Sequence, residues 1–404
     1  MITKEAHIVV GLGFGDEGKG LATDWLCGRA LAQGLQPLVV RFNGGHQAGH
    51  TVTTAAGQRH VFSNFGAGTL RGVPTYWSSY CTFSPGSVLK EYAALQAAGV
   101  QPRLLVDALC PITTHYDVLY NRALEATRGA DRHGSCGLGF GATIERHEQT
   151  PLRLYAQDLR FPAVFSHKLR QIRAHYRTRI QAETSVDFDQ FEHEAEDQRF
   201  AGYAKELGRL DAARAIQTVN EATVFDSSAP WQSYIFEGAQ GILLDMDFGM
   251  FPHVTRSHTT SANALALLRR TQPSLAAKAE IHYITRAYHT RHGAGPLPHE
   301  SAIPLVNMAN ETNQLNDYQG SFRTGPLSIE LLNYALACDA TVSTGLPKHL
   351  LVTCLDQLPD GLLPCWHDGE LKRNAPDTLT GLLETEFTSC RFSSSSSGAG
   401  LAYM

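Results

Sequence analysis

HIVVGLGFGDEGKG, residues 7–20, decides the fold. An apolar, β-branched run, Ile8-Val9-Val10, runs into glycines, and Gly13-Phe14-Gly15-Asp16-Glu17-Gly18-Lys19 satisfies G-x-x-x-x-G-K. A strand that opens into such a loop lets backbone N–H groups converge on an anion, and Lys19 adds a point charge for terminal phosphates. The next position departs from the usual phosphate loop, because Gly20 stands where Ser or Thr would ligate magnesium. The nearest oxygen ligand for that ion is Asp16, inside the loop. A carboxylate among phosphate-binding amides needs a metal or a substrate proton to offset its charge. The plainer alternative is a glycine-rich turn with an exposed Asp-Glu pair.

Outward from this loop, short apolar runs recur: PLVVRFNGG (37–45), RLLVDA (103–108), YIFEGAQG (234–241), IHYITRAY (281–288) and HLLVTCLD (349–356). Helical stretches lie between several of them, such as SVLKEYAALQAAG (87–99) and TSANALALLRR (260–270). Fully apolar strands alternating with helices predict an α/β fold, a mainly parallel central sheet with helices on both faces. Residues 167–215 are charged and read as a helical insertion outside the sheet. No repeat or interdomain linker is visible, so residues 1–404 read as a single domain. The one low-complexity stretch is the serine run at 393–397.

The chain is 43% hydrophobic, enough for one large core or two modest ones, and its net charge is −5. That balance gives no electrostatic reason to expect nucleic acid or an anionic membrane as a partner. Eight cysteines are scattered without a C-x-x-C pair or metal spacing, which reads as reduced cytosolic thiols. The start is too quickly polar for a signal peptide, and no apolar run reaches the ~18–20 residues a membrane span needs. The expected location is cytoplasmic.

A second glycine cluster, Arg41-Phe42-Asn43-Gly44-Gly45-His46-Gln47-Ala48-Gly49-His50-Thr51, follows the next strand, where parallel sheets place their ligand crevice. A lone histidine is more often structural than catalytic; the setting of His50 after strand-end glycines brings the two readings level. With both segments in view, GDEGKG and GGHQAGHTV resemble the adenylosuccinate synthetase signatures, whose usual forms are WGDEGKGK and GGNNAGHT. The similarity continues in order through SCGLGFG (135–141), FEGAQGILLDMDFGMFPHVTRSHTT (236–260), TRAYHTRHGAGPLP (285–298), FRTGP (322–326) and VTCLDQL (352–358).

The resemblance implies an adenylosuccinate synthetase-like fold and a carbon–nitrogen ligase. Such an enzyme phosphorylates the 6-oxygen of inosine monophosphate with guanosine triphosphate, then lets the amine of L-aspartate displace the phosphate. It also implies roles. Asp16 would be the general base at N1 and a magnesium ligand, Gly49 would offer its carbonyl to the metal, and His50 would donate to the 6-oxygen. Gly15, Glu17, Gly18, Lys19 and Gly20 would hold the triphosphate, with Lys19 also catalytic. Gln47, Ser135, Gln240, Thr255 and Arg323 would contact the other substrates, and Asp356 would read guanine. Family members are homodimers in which the partner lends an arginine; here the match falls on Thr150, with Arg146 and Arg153 nearby.

Several substrate contacts depart from the pattern. The family's T-T-G-R-G-I-G becomes Ser135-Cys136-Gly137-Leu138-Gly139-Phe140-Gly141, and the arginine-rich aspartate loop becomes Tyr318-Gln319-Gly320-Ser321-Phe322-Arg323. Each lost arginine removes a charge-assisted bond of roughly 1.5–3 kcal/mol. His289, Arg291 and His292 are candidate replacements. The family's T-K-L-D becomes Thr353-Cys354-Leu355-Asp356, the S-T-G-P-x-R end is reduced to Ser396-Ser397-Gly398-Ala399-Gly400-Leu401, and Gln47 replaces an asparagine. Adenosine triphosphate therefore stays open as the donor. So do a different purine nucleotide, such as deoxyguanylate, a different amino donor, and a nucleotide-binding protein without catalysis. Departures gather in substrate loops and spare Asp16, Lys19 and His50, which favours an enzyme.

Overall fold

The computed structural model describes residues 4–129, 133–306, 322–393 and the backbone of 401–402. Ten strands make one sheet: β1 Glu5–Gly11, β2 Pro37–Arg41, β3 Thr75–Trp77, β4 Leu104–Asp107, β5 Ile216–Val219, β6 Ser233–Gly241, β7 Glu280–Arg286, β8 Lys348–Thr353, β9 Ser389–Ser393 and β10 Leu401–Ala402. Their order across the sheet is β10-β9-β8-β7-β1-β6-β2-β3-β4-β5. Every pairing is parallel except that of β9 with β10. The strand that opens the phosphate loop lies between β6 and β7, so three C-terminal strand ends meet at the loop.

The sheet is covered on both faces, which is why β1 carries no polar alternation between Ile8 and Val10. Ile8 and Val10 join the larger core, with helices Ala262–Thr271 and Ile329–Ser343 packed over it. Val9 points the other way, beside Val39, Ile235, Ile284 and Leu351, under α1 (Lys19–Ala32). A third cluster lies on the far side of β3 and β4, under α2 (Pro85–Ala97) and α3 (His115–Arg128). Beyond α4 (Phe140–Gln149), the charged stretch forms α5 (Pro162–Glu183) and α6 (His193–Ala212). The α5 stripe Leu169, Ile172, Tyr176 and Ile180 is buried at helical spacing, so the charge lies on its outer face.

Each expected apolar run is a strand, trimmed where the backbone turns. HLLVTCLD stops at Thr353 because Cys354 takes φ 61°. Four sheet strands, β3, β5, β9 and β10, were not expected; each is short and carries too little pattern to separate from loop. No helix among the described residues is long and apolar enough to cross a membrane.

Candidate active site

The phosphate loop turns through three left-handed residues, Gly15 at φ 96°, Asp16 at 62° and Gly18 at 93°. Aspartate is among the few side chains that tolerate this region, so Asp16 sits there without a glycine's freedom. The buried Glu17 carboxylate turns back into the loop, where Oε1 accepts the Gly13 and Gly15 amides at 3.0 and 2.8 Å. Its other oxygen pairs with Lys19. Thr353 at the end of β8 donates to the Glu17 carbonyl at 2.7 Å, and Arg286 at the end of β7 donates to the Asp16 carbonyl. The loop is thus fixed from two neighbouring strands.

Asp16 keeps its carboxylate partly exposed, with Oδ2 3.5 Å from His292 Nε2. Desolvation raises this carboxyl above its ordinary range, with Arg286 and His292 pulling the other way. A carboxylate raised above its ordinary range is a better proton acceptor than a fully solvated one.

α1 begins at Lys19 with no side-chain cap, and its second residue explains the glycine of the motif. A Cβ on Gly20 would lie 2.9 Å from the His50 Cβ and 3.3 Å from the Thr51 carbonyl oxygen. Only a glycine lets the helix start pass this close to the histidine segment. His50 opens the two-stranded hairpin His50–Thr53 with Arg59–Phe62. Its Nδ1 lies 2.7 Å from Oε1 of Glu237, on β6. The Ala67 amide donates to the other Glu237 oxygen at 3.2 Å, and the buried Arg41 guanidinium stands 4.0 Å away, over the Trp77 ring.

Burial holds His50 below the usual histidine range against the pull of Glu237, so the ring is neutral with Nδ1–H directed at the carboxylate. Burial alone would raise Glu237, but His50 and Arg41 bring it below the ordinary carboxylate range. The pair can therefore take a proton on Nε2 when negative charge develops in front of it. Glu237 was quoted in the FEGAQG block without a role; the partner is 187 residues away, and no local signal joins them.

The remaining expected residues fall into two walls. Gln240, at φ 63°, stands against Gly15, and Gly45 beside Gln47 approaches the Phe140 ring at the start of α4. Gln47 Oε1, His46 Nδ1 and all three Arg41 guanidinium nitrogens are buried without a hydrogen-bond partner. Gly49 is exposed at the turn before His50. Opposite, Ser135 donates to Asn121, and Gly134 abuts Ala294. Thr255 is half-buried, its amide bonded to Leu244, and its neighbour Arg256 is tied to Glu145 and Glu148 of α4.

Arg323 spans this second wall, pairing with Glu300 and donating to the Gly293 and Gly295 carbonyls at 3.0 and 2.8 Å. Its guanidinium is committed to the protein. Asp356 is half-buried beyond Cys354, on the far flank of the loop from Gln240. Residues 318–321 of the altered aspartate loop and 396–400 of the altered terminus lie outside the described residues.

Of the three candidate replacement cations, only His292 faces a site residue. His289 is buried and pushed down to about 4 by desolvation, so it is not a cation near neutral pH. Arg291 donates to the Pro296 and His253 carbonyls and lies over Phe14, with burial lowering it to about 10. Arg146 is likewise unsuited to lending across a dimer, because it is buried in a two-bond pair with Asp117.

Comparison with known proteins places these features in a wider set. The family model described as adenylosuccinate synthetase matches residues 8–360. An adenylosuccinate synthetase of Ralstonia pickettii is 35% identical over 336 residues, 81% of this chain and 66% of that protein. The counterpart in Methylibium petroleiphilum is 34% identical over 378 residues, covering 89% of this chain and 78% of the relative. The chain therefore spans about two thirds to three quarters of the length of these relatives. Among solved structures, fully ligated adenylosuccinate synthetase from Plasmodium falciparum superposes with a TM-score of 0.75 at 17% identity, covering 99% of this chain and 100% of the other. A cyanophage S-2L succinoaminodeoxyadenylate synthetase, bound to dGMP with dATP as energy donor, gives 0.65 at 17% identity, over 99% and 95% of the two chains.

Proposed function

Because the chain belongs to the adenylosuccinate synthetase family, we propose that it is a nucleoside-triphosphate-dependent ligase joining L-aspartate to C6 of inosine monophosphate. The observation that carries this reading is the pairing of a raised loop carboxyl, Asp16, with the His50–Glu237 couple, held against the loop's helix by Gly20. In this reaction Asp16 takes the N1 proton. The 6-oxygen then attacks the terminal phosphorus and the nucleoside diphosphate leaves. His50, protonated at Nε2 and stabilised by Glu237, donates to the 6-oxygen as charge gathers there. The amine of aspartate next bonds to C6, phosphate departs with the 6-oxygen, and the proton the amine loses passes to solvent, since Asp16 already holds the one from N1.

The loop amides and Lys19 bind the triphosphate, and Asp356 faces its base. Guanosine triphosphate is the donor most consistent with that carboxylate. Asp16 and the Gly49 carbonyl supply hard oxygens of the kind Mg²⁺ prefers, and the ion would neutralise phosphate charge. The buried, unpartnered atoms of Arg41, His46 and Gln47 suit a polar ligand at the mouth of β2. Ser135, Gln240 and Thr255 line the side for the monophosphate. Arg323 reaches the amino donor only by leaving Glu300. A homodimer, a cytoplasmic setting and a single domain complete the reading; the eight free cysteines suit that compartment.

The test is phosphate release by purified protein with Mg²⁺ and L-aspartate. It compares inosine monophosphate with deoxyguanylate, each with guanosine or adenosine triphosphate, and identifies the C–N product by mass. Turnover with inosine monophosphate is expected. Turnover with deoxyguanylate alone would transfer the reading to that nucleotide, and silence with both would remove it.

A further inference from the structure

At the end of the sheet opposite the phosphate loop, three strands bring imidazoles and a carboxylate together. His7 on β1 is the Cα partner of Glu280 on β7, and His282 on β7 is the partner of His349 on β8. Residues two apart on a strand share a face, so all four side chains project to the side that α1 covers. There His7 Nδ1 lies 3.1 Å from His282 Nε2 and 3.3 Å from Glu280 Oε2, and the last two atoms are 3.8 Å apart.

We propose that His7, Glu280 and His282 form a binding site for a divalent transition ion of the zinc class. Tetrahedral Zn²⁺ with ligands at about 2.0–2.2 Å sets those ligands about 3.3–3.5 Å apart, and the three separations here bracket that value. One shared proton satisfies one of the three contacts; a metal satisfies all of them. Imidazole nitrogens with one carboxylate suit zinc, and also nickel, cobalt and copper, over the hard cations of phosphate chemistry.

The surroundings supply the outer contacts such a site needs. Glu5 Oε1 is 3.3 Å from His7 Nε2, a carboxylate–histidine pair that leaves Nδ1 free to ligate. Arg29, in the last turn of α1, also stands 3.0 Å from that Nε2; because a guanidinium only donates, Nε2–H faces Glu5 only when Arg29 swings aside. His349 stacks on His282 with centroids 4.7 Å apart and stands 3.3 Å from Glu280 Oε2, fixing both ligands from β8. His7 and His282 are buried while Glu280 is 36% exposed, so the ion enters past the carboxylate and water takes the fourth position. The site clips β1 to β7 and lies apart from Asp16, His50 and the Mg²⁺ ligands.

Co²⁺ titration of the full chain tests this, with absorbance and bound metal measured after dialysis. The expected result is one Co²⁺ per chain with the intense visible bands of a four-coordinate ion. Zn²⁺ should displace it, and Zn²⁺ should raise the unfolding temperature. Glu280→Gln, at a half-exposed position, and His282→Gln are each expected to weaken binding at least 100-fold, whereas His50→Asn retains it. No retained Co²⁺ at micromolar free ion would overturn the proposal, as would the pale spectrum of a six-coordinate ion or undiminished binding by Glu280→Gln. Because the readout is metal binding, it is independent of whether ligase activity is found.

Discussion

At the residue scale, the proposed chemistry rests on two groups whose environments move them in opposite directions. Asp16 is raised by desolvation, which makes its carboxylate the stronger proton acceptor, and His50 is lowered by it, which keeps the ring uncharged until substrate charge develops. Asp16→Asn should abolish turnover with the circular dichroism spectrum unchanged, and near-normal activity would remove it as the base. His50→Asn should lower kcat by ~100-fold or more, the range of a lost acid–base group; a change confined to KM would argue for binding alone. Glu237→Gln tests positioning. Without the carboxylate the imidazolium is less favoured, so the alkaline limb of kcat should move to lower pH while KM for the triphosphate holds. Motif spacing picked out Asp16, Lys19 and His50. Glu237 and Arg41 were not picked out, since their roles come from strand adjacency between β2 and β6.

At the element scale, the start of α1 and the α3–α4 pair show how tightly local geometry is tied to packing. Gly20→Ala places a methyl 2.9 Å from the His50 Cβ and should displace the ring from Glu237. The expected cost is about 1–3 kcal/mol of stability from overpacking, with activity falling at least tenfold. Wild-type kcat in this variant would separate the helix start from any role of His50 in turnover. Arg146 on α4 binds both oxygens of Asp117 on α3, which also accepts from Thr114 and Tyr176. Arg146→Ala leaves a buried carboxylate without its cation, and urea unfolding should show a loss of about 3–5 kcal/mol. The main strands and helices were readable from apolar runs. The α3–α4 pair was not, because sequence shows an arginine and an aspartate but not that both are enclosed.

At the scale of the whole molecule, several histidines are folded into the interior uncharged. Burial lowers His46 and His289 from 6.5 to about 4 and His147 to about 3. A group whose folded pKa is depressed contributes stability above its unfolded value, and loses it as pH falls toward the folded one. The unfolding temperature should therefore hold above pH 6.5 and decline between 6.5 and about 4, before most carboxylates titrate. His147→Phe should shallow that decline, and an unchanged slope would point to other groups. The ordered run of motifs made the family fold legible, but not the short strands β3, β5, β9 and β10. The expected dimer contact was not legible: Thr150 is engaged with the Arg146 carbonyl, and among the described residues none marks itself as shared. One local feature then bears on turnover. With the Glu17 carboxylate on the Gly13 and Gly15 amides, the loop carries an internal competitor for every anion that approaches it. Small anions gain little by displacing it, while a triphosphate has further contacts to offset the exchange. Phosphate, a product of the proposed reaction, would then be poorly retained, and product inhibition by it should be weak.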